Sequence, residues 1–360
     1  MLKKINIVLI LLFLLLSVFP TKVFAKDFDA TYYASKYPDV KNALGTNKDV
    51  LYKHYLEFGK KEGRFKNKKE ETSNENKIKT LDVVDTSHQK YTYEEMIEDI
   101  NALCENFPYL KQSSMGTSVN GKTIPVLILG NEKAEKKILI QASIHSREYM
   151  TSQLTMKIVE YICNNYNVLE VNKVKYSTLL DKICIHIIPM VNPDGVTYAQ
   201  TTNSQYKANI NGVDLNRNFP TGFGNKQDEF FGGDAPLDQP ESKALADYSA
   251  KGFYAFINYH SSGNIIYYGA PINTEENAKR AKALANVING YNKYKMVYDN
   301  TNNLAYGSFG DYVQSTFNRP SATVEIGTKN PVPIKQFNNI YNLNKDSWGG
   351  VLYAIDNAQF

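Results

Sequence analysis

In the stretch ILIQASIHSREYMTSQL, residues 138–154, an apolar run of strand character ends in His145-Ser146-Arg147-Glu148, and a helical pattern follows. A strand-to-helix junction can turn side chains three apart toward one point. An imidazole nitrogen and a carboxylate oxygen placed in that way both suit Zn²⁺, which binds them at roughly 2.0–2.2 Å. A pair is not a site, because a catalytic zinc takes three protein donors and keeps one position open. HxxE alone is frequent by chance, so a third donor is required. The chain has five histidines. His54 and His88 belong to polar N-terminal segments, and His186 sits among isoleucines in ICIHIIPM as a sheet-face histidine. His260 ends the strand-like run FYAFINYH and precedes a turn, SSG, which is the position His145 occupies in its own run. It is the third candidate ligand. A metal-bound histidine usually donates its other N–H to a carboxylate, and Asp214, in the turn-rich NGVDLNRNFP, is the candidate for His145.

Such side chains need a scaffold, and the pattern from Tyr91 onward supplies one. Strand-like runs at Thr123–Gly130, Lys136–Ile144, Ile183–Val191, Phe253–His260 and Ala322–Gly327 alternate with helical patterns such as Thr151–Tyr166 and Glu276–Tyr291. Near-continuous apolar strands between amphipathic helices predict an α/β layer fold with a largely buried sheet. In such sheets sites collect at strand ends. Ahead of this domain, expected over 90–360, the composition changes three times. Residues 1–25 have a basic start, the apolar run Ile5–Phe19 and a small-residue VFA ending, which is the pattern of a cleaved export signal. That run is short of the ~20 apolar residues a membrane span needs. Residues 26–66 form a Tyr-rich helical module, and 67–89 have the polar, charged composition of a linker.

The formal net charge is +4, and the signal segment, with three lysines and no acidic residue, contributes three of those charges. Nothing in the remainder favours nucleic acid or another polyanion. Three cysteines, Cys104, Cys163 and Cys184, are too few for a disulfide framework and read as small hydrophobes.

Five motifs occur in order: HSRE, NPDG (192–195), GVDLNRNFP (212–220), NYHSSGNIIYY (258–268) and TVEIG (323–327). Together they resemble the zinc carboxypeptidase family, over roughly Tyr91 to Ala354. YKANINGVDLNRNFP and YHSSGNIIYY point within it to bacterial γ-D-glutamyl-meso-diaminopimelate peptidases, which cut the stem peptides of cell-wall peptidoglycan. The resemblance implies a mixed, twisted sheet of about eight strands with helices on both faces. It implies one Zn²⁺ held by His145, Glu148 and His260, with Glu325 as the catalytic carboxylate. Asn216 and Arg217 match the pair that grips the substrate's terminal carboxylate. Lys207 stands where family members commonly carry an oxyanion-stabilising Arg. Strict counting puts Asn303 where a mobile Tyr is often found; Tyr306, slightly offset, is the candidate substrate contact. Ser308 and Gly310 fall at the side-chain pocket and favour neither a basic nor an aromatic residue. Residues 28–64 are similar to a small module of exported surface proteins in Gram-positive-type bacteria.

The leading expectation is therefore a secreted zinc peptidase acting on stem peptides, with residues 28–64 as the candidate for cell-wall association. The alternatives are a metallocarboxypeptidase for ordinary L-peptides and, more remotely, a non-catalytic wall-binding protein. A serine hydrolase is disfavoured, since no GxSxG is present.

Overall fold

The computed structural model describes residues 27–60, 62, 64–70, 80–224, 231–270, 274–298 and 306–360. The expected signal, 1–25, and residues 71–79 of the expected linker lie outside them. The chain divides into two compact units, Met1–Lys79 and Thr80–Phe360. No helix among the described residues is long and apolar enough to cross a membrane.

The smaller unit contains helices α1 (Ala30–Lys36), α2 (Pro38–Leu44) and α3 (Lys48–His54), the last running into a π-helical turn at Tyr55–Gly59. Asp29 and Asn47 cap α1 and α3 by accepting backbone N–H bonds. The core is small and aromatic, built from Phe28, Tyr33, Val40, Leu51 and Tyr55. Arg64 grips both carboxylate oxygens of Asp39, at 3.0 and 2.8 Å.

The described residues of the larger unit form ten strands: β1 (Leu110–Thr117), β2 (Thr123–Leu129), β3 (Lys136–Ala142), β4 (Glu170–Val171), β5 (Val174–Lys175), β6 (Ile183–Ile188), β7 (Ala255–His260), β8 (Ile265–Tyr268), β9 (Lys295–Tyr298) and β10 (Ser321–Glu325). Eight of them form one mixed sheet in the order β1-β2-β6-β3-β7-β10-β8-β9, and β4 and β5 pair separately. The central run β6-β3-β7-β10 is parallel. Its strands are buried on both faces, which is why they read as apolar runs. Alternate residues serve opposite layers. Ile138, Ile140, Ile185 and Ile257 pack with helices Met150–Asn164, Glu275–Asn292 and Ser347–Asp356. Leu139, Cys184, Ile188 and Phe256 pack with helices Pro240–Ser249 and Phe309–Phe317. This is the mixed eight-stranded architecture expected.

Two features differ from the sequence reading. Residues 80–89, expected as linker, belong to the larger unit. Val84 is buried in its core, and Glu160 accepts the backbone N–H groups of Val83 and Val84 at 2.6 and 3.1 Å. Asn164 exchanges two hydrogen bonds with the Leu81 backbone. The segment reads as linker because its partners are side chains of a distant helix. Strands β1, β8 and β9 were also not anticipated. The first is an edge strand, LKQSSMGT, with mostly exposed residues.

Candidate active site

The chain crosses from β3 into the helix Met150–Asn164 through a tight junction. Ser143 takes a positive φ of 50°, and its backbone N–H donates to Thr151 Oγ1 at 2.9 Å. The turn at Ser146–Glu148 follows, with the Glu148 N–H bonded to the His145 carbonyl at 3.1 Å. His145 and Glu148 are thereby presented beyond the carboxyl end of β3. His260 is the last residue of β7, the parallel neighbour of β3, and Glu325 is the last of β10, opposite His260 in the register. The sheet order alone brings the four together.

His145 Nδ1 lies 2.9 Å from Glu148 Oε1, and His260 Nδ1 lies 3.1 Å from Glu148 Oε2. The two imidazole Nδ1 atoms are 3.2 Å apart. His145 Nε2 meets Asp214 Oδ1 at 3.1 Å. That contact places the His145 proton on Nε2 and leaves a lone pair on Nδ1, facing His260 and Glu148. Donor atoms of a tetrahedral shell at 2.0–2.2 Å stand roughly 3.3–3.6 Å apart. The triangle of side chains found here, all three buried, is close to that size. Two imidazoles and a carboxylate are zinc's usual donors in catalytic sites, so the residues fit a zinc ion.

The electrostatics agree. Burial alone would raise the Glu148 carboxyl, but His145 and His260 hold it well below the usual carboxylate range. Asp214 is also buried, and His145, Lys207 and Arg217 hold it low in the same way. Glu325 differs: burial pushes it up to about 7, against the opposing pull of His260. Two of the carboxylates are thus kept as anions, while the third is poised to gain or lose a proton near neutrality.

A cavity of about 720 Å³ opens over these groups. His145, Glu148, His260, Glu325, Lys207, Asn216 and Arg217 all line it, as do Ser308 and Gly310. Asp214 lies behind His145, accepting the Asn216 N–H at 2.9 Å and pairing with Lys207 Nζ at 2.7 Å. Arg217 Nη1 donates to the Asn216 carbonyl at 2.9 Å. Tyr306 is not brought to the cavity. Its ring packs over Gly222, where a Cβ would come within 2.5 Å of it. Asn303 lies outside the described residues. His186 is a sheet histidine as expected, with Nδ1 bonded to the Tyr248 hydroxyl at 2.7 Å. Arg147, Lys295, Asp311 and Asn330 line the cavity without having been singled out. Only Arg147 carried a signal, its place between two ligands in HSRE.

The zinc carboxypeptidase family matches residues 93–347. A γ-D-glutamyl-L-diamino acid endopeptidase of Lysinibacillus sphaericus is 31% identical over 284 residues, covering 70% of each chain. Among solved structures, thrombin-activatable fibrinolysis inhibitor superposes with a TM-score of 0.65 at 18% identity, over 78% of each chain. Carboxypeptidase A from Helicoverpa armigera gives 0.63 at 20% identity, over 87% of each. At those identities the structures speak for the fold. With the family match spanning the domain that carries the donor set, this chain belongs to the zinc carboxypeptidase family and is a zinc-dependent hydrolase.

Proposed function

We propose that the protein is an exported peptidase that hydrolyses the γ-D-glutamyl–diaminopimelate bond of peptidoglycan stem peptides. His145, Glu148 and His260 would hold the zinc, which when bound lowers the pKa of water toward ~7 and polarises a carbonyl. Glu325 takes the proton of the attacking water and passes it to the leaving amine. Arg217 offers the substrate's terminal carboxylate a planar, two-pronged donor set, with Asn216 beside it. Lys207, held by Asp214, neutralises charge developing on the carbonyl oxygen. The expected signal exports the chain, and residues 28–64 tether it to the wall.

The observation that carries the substrate is the charge of the cavity. Arg147, Lys207, Arg217 and Lys295 line it beside the acids Glu148, Asp311 and Glu325, and three of those cations, Arg147, Arg217 and Lys295, lie outside the Lys207–Asp214 pair, more than the single carboxylate of an ordinary peptide C-terminus would require. A γ-D-glutamyl-diaminopimelate unit presents three carboxylates. Ser308 and Gly310, neither charged nor bulky, line the same cavity. The relative from L. sphaericus bears a name for the same class of bond.

The test is release of diaminopimelate from L-Ala-γ-D-Glu-meso-diaminopimelate by the purified protein. Glu325→Gln should lower kcat by about 10³-fold, within the range of general acid–base catalysis, while zinc content stays unchanged. Cleavage of C-terminal residues from ordinary L-peptides, with none of the γ-linked substrate, would overturn the proposal in favour of a metallocarboxypeptidase.

A further inference from the structure

Alternate residues of β8 and β9 face opposite ways. Ile266, Tyr268 and Met296 pack toward the core, whereas Ile265, Tyr267, Lys295 and Val297 line the cavity. The register sets Glu325 opposite Ile265, and Ile265 opposite Lys295. The carboxylate and the lysine therefore share one face of the sheet, two strand spacings or roughly 10 Å apart at their α-carbons. No ion pair among the described residues involves Lys295.

We propose that Lys295 selects the amino acid on the leaving side of the scissile bond by reading a second carboxylate at the far end of its side chain. The inference rests on the peptidase reading above and adds to it a residue that separates two diamino acids. In diaminopimelate the far carboxyl stands five carbon–carbon bonds from the α-carbon, roughly 6 Å when extended. With the α-carboxylate at Arg217 and the amine at the scissile bond, that reach leads along Ile265 and Val297 to the Lys295 ammonium. The methylenes meet apolar side chains and the carboxylate meets a cation. Lysine in the same place would set ammonium against ammonium, so one side chain both attracts the favoured substrate and repels its competitor. Asp311, a buried acid lining the cavity, gives neither an advantage, because both diamino acids carry a terminal ammonium.

The experiment compares kcat/KM for L-Ala-γ-D-Glu-meso-diaminopimelate and L-Ala-γ-D-Glu-L-Lys in the zinc-loaded full chain, in Lys295→Met, Lys295→Arg and Lys295→Glu. The wild type should prefer diaminopimelate by about five-fold, the upper end for one charge contact at an exposed lysine. Lys295→Met should erase most of that preference through KM with kcat little changed, Lys295→Arg should retain it, and Lys295→Glu should favour the lysine peptide. Cleavage of both peptides with a ratio that Lys295→Met leaves within two-fold would overturn this inference alone. Cleavage of neither would overturn the peptidase reading and this inference with it.

Discussion

Asp214 does not line the cavity, yet it fixes three residues that do. One oxygen accepts from His145 Nε2 and the Asn216 N–H, and the other pairs with Lys207. Replacing it by Asn keeps the shape and removes the charge that orients the imidazole. Zinc affinity, measured by competition with a chelator, should fall about 10–100-fold. Saturating zinc should restore only part of the activity, because Lys207 also loses its anchor. At this scale the sequence was informative wherever a residue's role follows from its own motif. His145, Glu148 and His260 stand at strand ends that are visible as apolar runs, and Asp214 sits in the turn that presents it. Tyr306 was not readable. Its position depends on a bare glycine, Gly222 at a φ of +72°, in a loop that only the folded chain brings near. Lys295 was invisible because its place in the cavity depends on the register of three strands.

The segment 80–89 works as a strap over the helix Met150–Asn164. Glu160 carries much of it, accepting two backbone N–H groups and pairing with Lys157 while itself buried. Glu160→Ala strands those donors where water reaches poorly, at about 1–3 kcal/mol for each buried unsatisfied group. The urea midpoint should drop accordingly, and protease should cut sooner between residues 80 and 89. With the cavity untouched, kcat should hold within about two-fold, whereas a large loss of kcat would show that the strap shapes the site. The buried parallel strands were legible because both of their faces are apolar. The strap and β1 were not, since their backbone bonds go to a side-chain carboxylate and to a sheet edge, neither of which imposes a local pattern.

For the molecule as a whole, pH should act on stability through His186. Burial, helped by the positive charges of Lys137 and Lys251, lowers its pKa from 6.5 to about 4. The unfolded chain therefore binds this proton first. The stability held above pH 6.5 is lost as the pH falls toward 4. Asp99 and Glu325, whose carboxyls burial pushes up to about 6 and about 7, act with the opposite sign in that window, so the His186 contribution is read as the difference between wild type and a variant. In His186→Gln, which keeps an acceptor for the Tyr248 hydroxyl but cannot titrate, the urea midpoint should gain on that of the wild type as the pH falls from 6.5 to 4, and a constant difference between the two would rule out His186 as a contributor. Chelation should abolish hydrolysis and lower Tm, with zinc restoring both, because a ligand that binds only the native state stabilises it. The position of β10 has a further bearing. It is the last strand in the chain, yet it lies between β7 and β8 in the sheet, and it ends in Glu325. A polypeptide whose synthesis has not reached β10 lacks both the strand between β7 and β8 and Glu325. His145, Glu148, His260 and Glu325 can therefore come together only after synthesis has passed β10.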